Sequence, residues 1–175
     1  MQTNDYLAAF YAGYDEEGRL LTRQGHVEYA TTMRYIHHYL TPGMRVLEIG
    51  AGTGRYSHAL AQEGCAVLLI THDLSLAVRH ADTIAVFYAG TTVEVTPAED
   101  FRAGEGNLRH PYTKALWRAM PENGFEPIPG TQPYAGTVAS GCPFADRCPL
   151  RDDDCTGDIP TRSIRGGEVR CVHAE

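Results

Sequence analysis

The sequence predicts an α/β protein: a small βαβ parallel sheet, extended by an antiparallel hairpin and followed by a loop-rich, cysteine-containing C-terminal tail. Three observations predict it. Two short apolar runs, residues 45–49 and 66–71, flank one amphipathic stretch, the pattern of parallel strands joined by a crossover helix. Residues 83–89 and 91–95 are β-branched and aromatic runs around Gly90, the pattern of a hairpin. Beyond residue 120, prolines, glycines and cysteines replace apolar periodicity.

Taken in order, residues 6–12 and 27–40 read as helices. The second carries Val27, Ala30, Met33, Ile36, His37 and Leu40 at three-to-four spacing, and Thr41-Pro42-Gly43 ends it. Residues 45–49 form a short buried strand, the glycines at 50, 52 and 54 a turn, and residues 56–63 a helix stopped by Gly64. Residues 66–71 form a second buried strand and residues 74–80 a short helix. The hairpin follows, then a helix over residues 111–120 with Pro111 in its first turn. Residues 121–140 exclude regular structure, and the last 35 residues read as loops around cysteines.

Composition narrows the function. Forty-three per cent hydrophobic residues suffice for a packed core. The net charge of −7 is shared by both halves, and no basic stripe argues for nucleic acid or an anionic membrane. The start, Met1-Gln2-Thr3-Asn4-Asp5, lacks the basic and apolar regions of a secretory signal. The longest aliphatic run, residues 66–70, is far short of the roughly 20 residues of a membrane helix. A cytoplasmic chain without membrane insertion is expected. In a reducing cytosol, clustered cysteines point to metal rather than disulfides.

Glu48-Ile49-Gly50-Ala51-Gly52-Thr53-Gly54 lies between a strand and a helix, where glycines permit positive φ and the helix offers free N–H groups to an anion. With Tyr14-Asp15-Glu16-Glu17-Gly18-Arg19-Leu20-Leu21 and Gly25-His26-Val27-Glu28-Tyr29, this stretch resembles class I S-adenosylmethionine-dependent methyltransferases over residues 8–67. The resemblance implies a partial Rossmann-like sheet, with Gly50, Gly52 and Gly54 contacting the cofactor and Glu48 bonding near its amino acid end. The family ends its second strand with an acidic residue for the ribose hydroxyls. Here Thr71 and His72 stand there, with Asp73 nearby, and the later strands of such enzymes are absent.

Leu68-Leu69-Ile70-Thr71-His72-Asp73-Leu74 resembles the switch-histidine segment of ABC-type ATPases. Residues 81–90, Arg109-His110-Pro111-Tyr112-Thr113-Lys114-Ala115-Leu116, Ile128-Pro129-Gly130 and Gly141-Cys142-Pro143-Phe144-Ala145-Asp146-Arg147-Cys148-Pro149 are similar to the oligopeptide, dipeptide and nickel importer branch, over residues 68–173 in all. The resemblance implies that His72 would sense the terminal phosphate of ATP. Phosphoryl transfer also needs a phosphate-cradling loop with its lysine and a carboxylate for magnesium. No G-x-x-x-x-G-K-[ST] occurs, and the only lysine is Lys114. His72 is therefore expected to be vestigial and the chain incompetent for ATP hydrolysis alone. The family's docking region lies upstream of the histidine segment and is missing here, which counts against docking onto importer subunits.

Cys142, Cys148, Cys155 and Cys171 are separated by 5, 6 and 15 residues. Four thiolates can enclose one zinc or an iron–sulfur cluster, and the spacing alone does not choose between them. The importer resemblance implies a [4Fe–4S] cluster. His173 lies two residues past Cys171, while Cys65 reads as a small buried hydrophobe. The expected organisation is a methyltransferase-like segment over 1–67, an ATPase fragment over 68–120 and a cysteine-rich module over 121–175. The expected function is that of a remnant of a peptide or nickel importer ATP-binding subunit with a metal-binding module. The alternatives are a truncated methyltransferase that binds S-adenosylmethionine and a non-functional fusion product.

Overall fold

In a computed structural model the described residues are Gly18, 21–134 and 140–175. The helix expected over 6–12 and most of the motif at 14–21 lie outside them. The chain divides after His72 into two units, each with its own hydrophobic core.

The first unit contains helix α1, Arg23–Tyr39. Thr22 caps it by accepting the Gly25 N–H at 3.1 Å, and His37 and His38 lie in its last turn, where the helix dipole favours positive charge. Strand β1 (Arg45–Ile49), helix α2 (Arg55–Gln62) and strand β2 (Ala66–Ile70) then make the expected βαβ unit. The strands pair in parallel, Leu47 beside Leu68 and Ile49 beside Ile70. The helix-covered face packs Val46 and Val67 with Met33, Leu60 and Cys65, and the Tyr29 and Tyr56 rings stack at 5.2 Å. The opposite face is bare: Leu47, Ile49, Leu68 and Ile70 are all exposed, Ile49 by 73%. Parallel sheets normally bury both faces, so this pair has the exposure of a sheet lacking one layer.

The second unit begins with helix α3 (Leu74–His80). Strands β3 (Thr83–Tyr88) and β4 (Thr91–Pro97) form the expected hairpin. Its two-residue turn needs positive φ at both positions, and Ala89 at 48° and Gly90 at 85° supply it. Ile84, Val86 and Tyr88 alternate inward, as a half-buried strand requires, and join Val93, Phe101, Leu108 and Phe144 in the core. Helix α4 (Ala98–Ala103) follows at once; its signal, Pro97 ahead of Glu99 and Asp100 in the first turn, escaped the apolar-period reading. Helix α5 (Pro111–Ala119) starts at the expected proline.

Two features differ from expectation. The hairpin does not extend the parallel pair. It belongs to a separate antiparallel sheet of order β3-β4-β6-β5, in which β5 is Arg162–Ile164 and β6 is Gly167–Val169. Through its other edge β4 pairs with the tail, Glu94 with Val169 and Val95 with Glu168. The tail is accordingly not all loop. Strands of three residues are too short to show alternation, yet pairing with a longer neighbour and a tight turn at Arg165-Gly166, both at positive φ, suffices to form them.

Candidate functional site

The second unit gathers its chemistry at one small cavity lined by Cys142, Cys148, Cys155 and Cys171, with His110 and His173 beside them. Cys142 and Cys148 flank a single 3₁₀ turn at Ala145–Arg147, and Cys155 sits in another at Asp153–Thr156. Cys171 lies two residues past the end of β6. The Cys142 N–H donates to the Cys155 carbonyl at 2.9 Å, which clamps the two loops together. Gly141 makes that approach possible: its φ is +82°, and a methyl group there would meet the Cys155 carbonyl oxygen at 2.5 Å.

The thiols respond to one another. Burial pushes the Cys142, Cys148 and Cys171 thiols up from their ordinary value, and neighbouring sulfurs add to the effect. Backbone N–H groups two residues on, at Phe144, Leu150 and His173, oppose it by donating to these three sulfurs. Such a site resists accumulating negative charge until a cation compensates it, and it already offers donors to the thiolates that would form. The donor set therefore fits a thiophilic metal centre. Asp152 and His173 enlarge it: the His173 Nε2 lies 3.5 Å from Cys155 Sγ and 3.3 Å from Asp152 Oδ2, a sulfur, nitrogen and oxygen set that zinc tolerates.

A buried polar network holds the cavity to the sheet. Arg109, 2% exposed, donates through Nη1 to Thr96 Oγ1 at 2.7 Å and Asp100 Oδ2 at 2.8 Å, with Glu94 Oε1 at 3.3 Å. Its Nε and Nη2 donate to the carbonyls of Ile164 and Arg165, each at 2.6 Å, at the turn between β5 and β6. Burial acts to raise the Asp100 pKa, but the Thr96 and Arg109 hydrogen bonds and the Arg109 charge outweigh it and hold the carboxyl below its ordinary value. Glu94, buried in β4, also accepts the backbone N–H groups of Arg109 (3.0 Å) and His110 (2.8 Å). His110 is completely buried, and burial pushes its pKa down to about 4. Sequence reasoning noted Arg109-His110-Pro111 as a motif but assigned it no role. The available signal was Glu94, an acid within the apolar run of a strand, which requires a buried partner.

The other expected residues lie in the first unit, apart from Asp73, which begins the second. Gly50, Gly52 and Gly54 all adopt positive φ, and Gly54 stands at the N-cap of α2. Glu48 accepts a short hydrogen bond from the buried Ser57 of α2, so its carboxylate is engaged within the fold. His72 is exposed. Asp73 caps α3 by accepting the Leu76 N–H at 2.9 Å. Cys65 is buried in the first core, as expected of a small hydrophobe. Among the described residues, no helix is long and apolar enough to cross a membrane.

Comparison with known proteins bears on the second unit. Residues 93–155 match the family described as "Oligopeptide/dipeptide transporter, C-terminal region". The chain is similar to the dipeptide transport ATP-binding protein DppD of Bacillus subtilis (strain 168), 42% identical over 104 residues, covering 57% of this chain and 30% of the relative. It is also similar to DppD of Escherichia coli (strain K12), 40% identical over 118 residues and covering 63% and 35% of the two chains. The oligopeptide transport ATP-binding protein OppD of Mycobacterium tuberculosis (strain ATCC 25618 / H37Rv) is 41% identical over 98 residues, covering 53% and 16%. The chain thus spans about a third or less of the length of these relatives. Over part of its length, it is similar to the ATP-binding proteins of oligopeptide and dipeptide transport, and the matched stretch contains Cys142, Cys148 and Cys155.

Proposed function

We propose that residues 68–175 form the C-terminal module of a peptide- or nickel-importer ATP-binding subunit, in which Cys142, Cys148, Cys155 and Cys171 hold a metal centre. A [4Fe–4S] cluster is the first assignment and zinc the alternative. The observation that carries this reading is the convergence of all four cysteines on one cavity in a unit similar to peptide-transport ATP-binding proteins. Bound there, the centre would staple a tail that has few apolar residues to order it. A vestigial ATP switch at His72 and association with importer subunits belong to the same reading. The catalytic loop and lysine of ATP hydrolysis have no counterpart in this sequence, so the function proposed for this chain is metal binding rather than catalysis.

The first unit is proposed to have separate parentage, joined near Val67 and Leu68. Its backbone offers a glycine turn to S-adenosylmethionine. However, chain reversal alone accounts for the positive φ values, and Glu48 is held by Ser57, so cofactor binding is the weaker reading.

Anaerobic purification followed by iron, acid-labile sulfide and zinc analysis tests the proposal. About four irons and four sulfides per chain, lost in Cys148→Ser, is the expected result. Zinc alone would replace the cluster assignment while keeping the metal module. A folded protein that takes up neither would overturn the reading.

A further inference from the structure

We propose that His110 is a positioning residue for the metal centre, donating its Nε2–H to the thiolate of Cys142. This rests on the four-cysteine reading above and adds a residue from outside the cysteine loops. The His110 Nδ1 accepts the backbone N–H of Tyr112 at 3.0 Å, as the N-cap of α5. A nitrogen that accepts carries no proton, so in the neutral ring the proton is on Nε2. That nitrogen lies 3.9 Å from Cys142 Sγ, among the described residues its hydrogen-bond partner. The ring is wholly buried, so no solvent competes for the proton.

Three further contacts keep the ring in place. Glu94 anchors the His110 backbone N–H from β4 at 2.8 Å. Pro111 occupies the first position of α5 and brings no N–H to compete for Nδ1. The Phe144 ring stands 6.1 Å away between centroids, on the loop that bears Cys142. A separation of 3.9 Å is long for a contact to a neutral thiol. Loss of the thiol proton on metal binding makes the bond charge-assisted, and such bonds are shorter and stronger. The backbone serves Cys142, Cys148 and Cys171 with N–H donors from two residues downstream. His110 gives Cys142 a second donor from a different element, and hydrogen bonds to ligand sulfur are a principal control on such centres.

Spin-active cadmium, a thiophilic stand-in for the native metal, provides the test in the full chain. His110 nitrogen shifts should report a protonated Nε2 and an unprotonated Nδ1, and a scalar coupling should link the cadmium to the His110 ring proton through Cys142 Sγ. His110→Asn keeps an N-cap acceptor and removes the donor to sulfur. It should fold, bind cadmium roughly 10–100-fold more weakly and lose the coupling. If iron is the native metal, the variant's reduction potential should fall, since the lost donor favours the more negative, reduced state; a tenfold change corresponds to about 59 mV for one electron. Cadmium bound with no coupling, or with the proton on Nδ1, overturns the His110 role alone. No cadmium uptake by the folded wild-type chain overturns the four-cysteine reading and this inference with it.

Discussion

Gly141 is required where the cysteine loops meet. The backbone there is left-handed, and the Cys155 carbonyl occupies the space a side chain would need. A left-handed non-glycine residue costs roughly 1–2 kcal/mol by itself. The clash adds to that, because its partner is backbone and cannot swing aside. Gly141→Ala is therefore expected to lower stability by about 2 kcal/mol or more and to spread Cys142 from Cys155. The purified variant should carry much less metal per chain than wild type. Gly106→Ala, with open space around the added methyl, is the matched control and should leave metal content unchanged. At this scale the sequence showed the ligands and concealed their support. Four cysteines near one end are visible in any reading, whereas Glu94, Arg109 and His110 find their partners across 9 to 56 residues of chain. No local pattern records such pairings.

Among the elements, those with a clear apolar period were legible: both strands of the parallel pair, the hairpin and the amphipathic helices, whereas the six-residue helix α4 was not. The three-residue strands β5 and β6 were not, and Arg109 shows what holds them. Its guanidinium links Thr96 and Asp100 to two carbonyls at the β5–β6 turn, and Gly167 leaves room for it: a methyl there would lie 2.9 Å from Cζ. Arg109→Met fills similar volume but leaves Glu94 buried without its counter-charge. Breaking a buried ion pair from one side costs roughly 3–5 kcal/mol. That loss should appear in chemical denaturation followed by Trp117, the chain's single tryptophan, whose indole bonds the Phe101 carbonyl. The exposed Arg151–Asp146 pair is also short, yet Arg151→Ala should cost only about 0–1 kcal/mol, because solvent screens it. Similar costs for the two variants would show that Arg109 does not fasten the tail strands to the hairpin.

Across the whole molecule, the two units differ in how completely they are built. The first leaves one apolar sheet face exposed, while the second closes its core and invests buried charge in the same space. Its titratable groups, above all the buried His110, make the second unit acid-sensitive. In the unfolded chain His110 takes up a proton near its ordinary 6.5, whereas in the fold burial delays uptake to about pH 4. Between those values the unfolded state binds more protons, so stability falls as the pH is lowered through the window and is fully present above it. At about 1.4 kcal/mol per pH unit, the His110 contribution is on the order of 3 kcal/mol. Asp100 acts in the same direction at lower pH: its pKa is held down in the fold, so the stability it brings is lost as acid finally protonates it. Denaturation of metal-free protein, read at Trp117, should therefore show a marked loss of stability from pH 7 to pH 4. In His110→Asn the loss should be smaller, because an amide does not titrate. An equal loss in both proteins would mean that burial does not delay protonation of His110 and that its ring is not held neutral between pH 6.5 and pH 4.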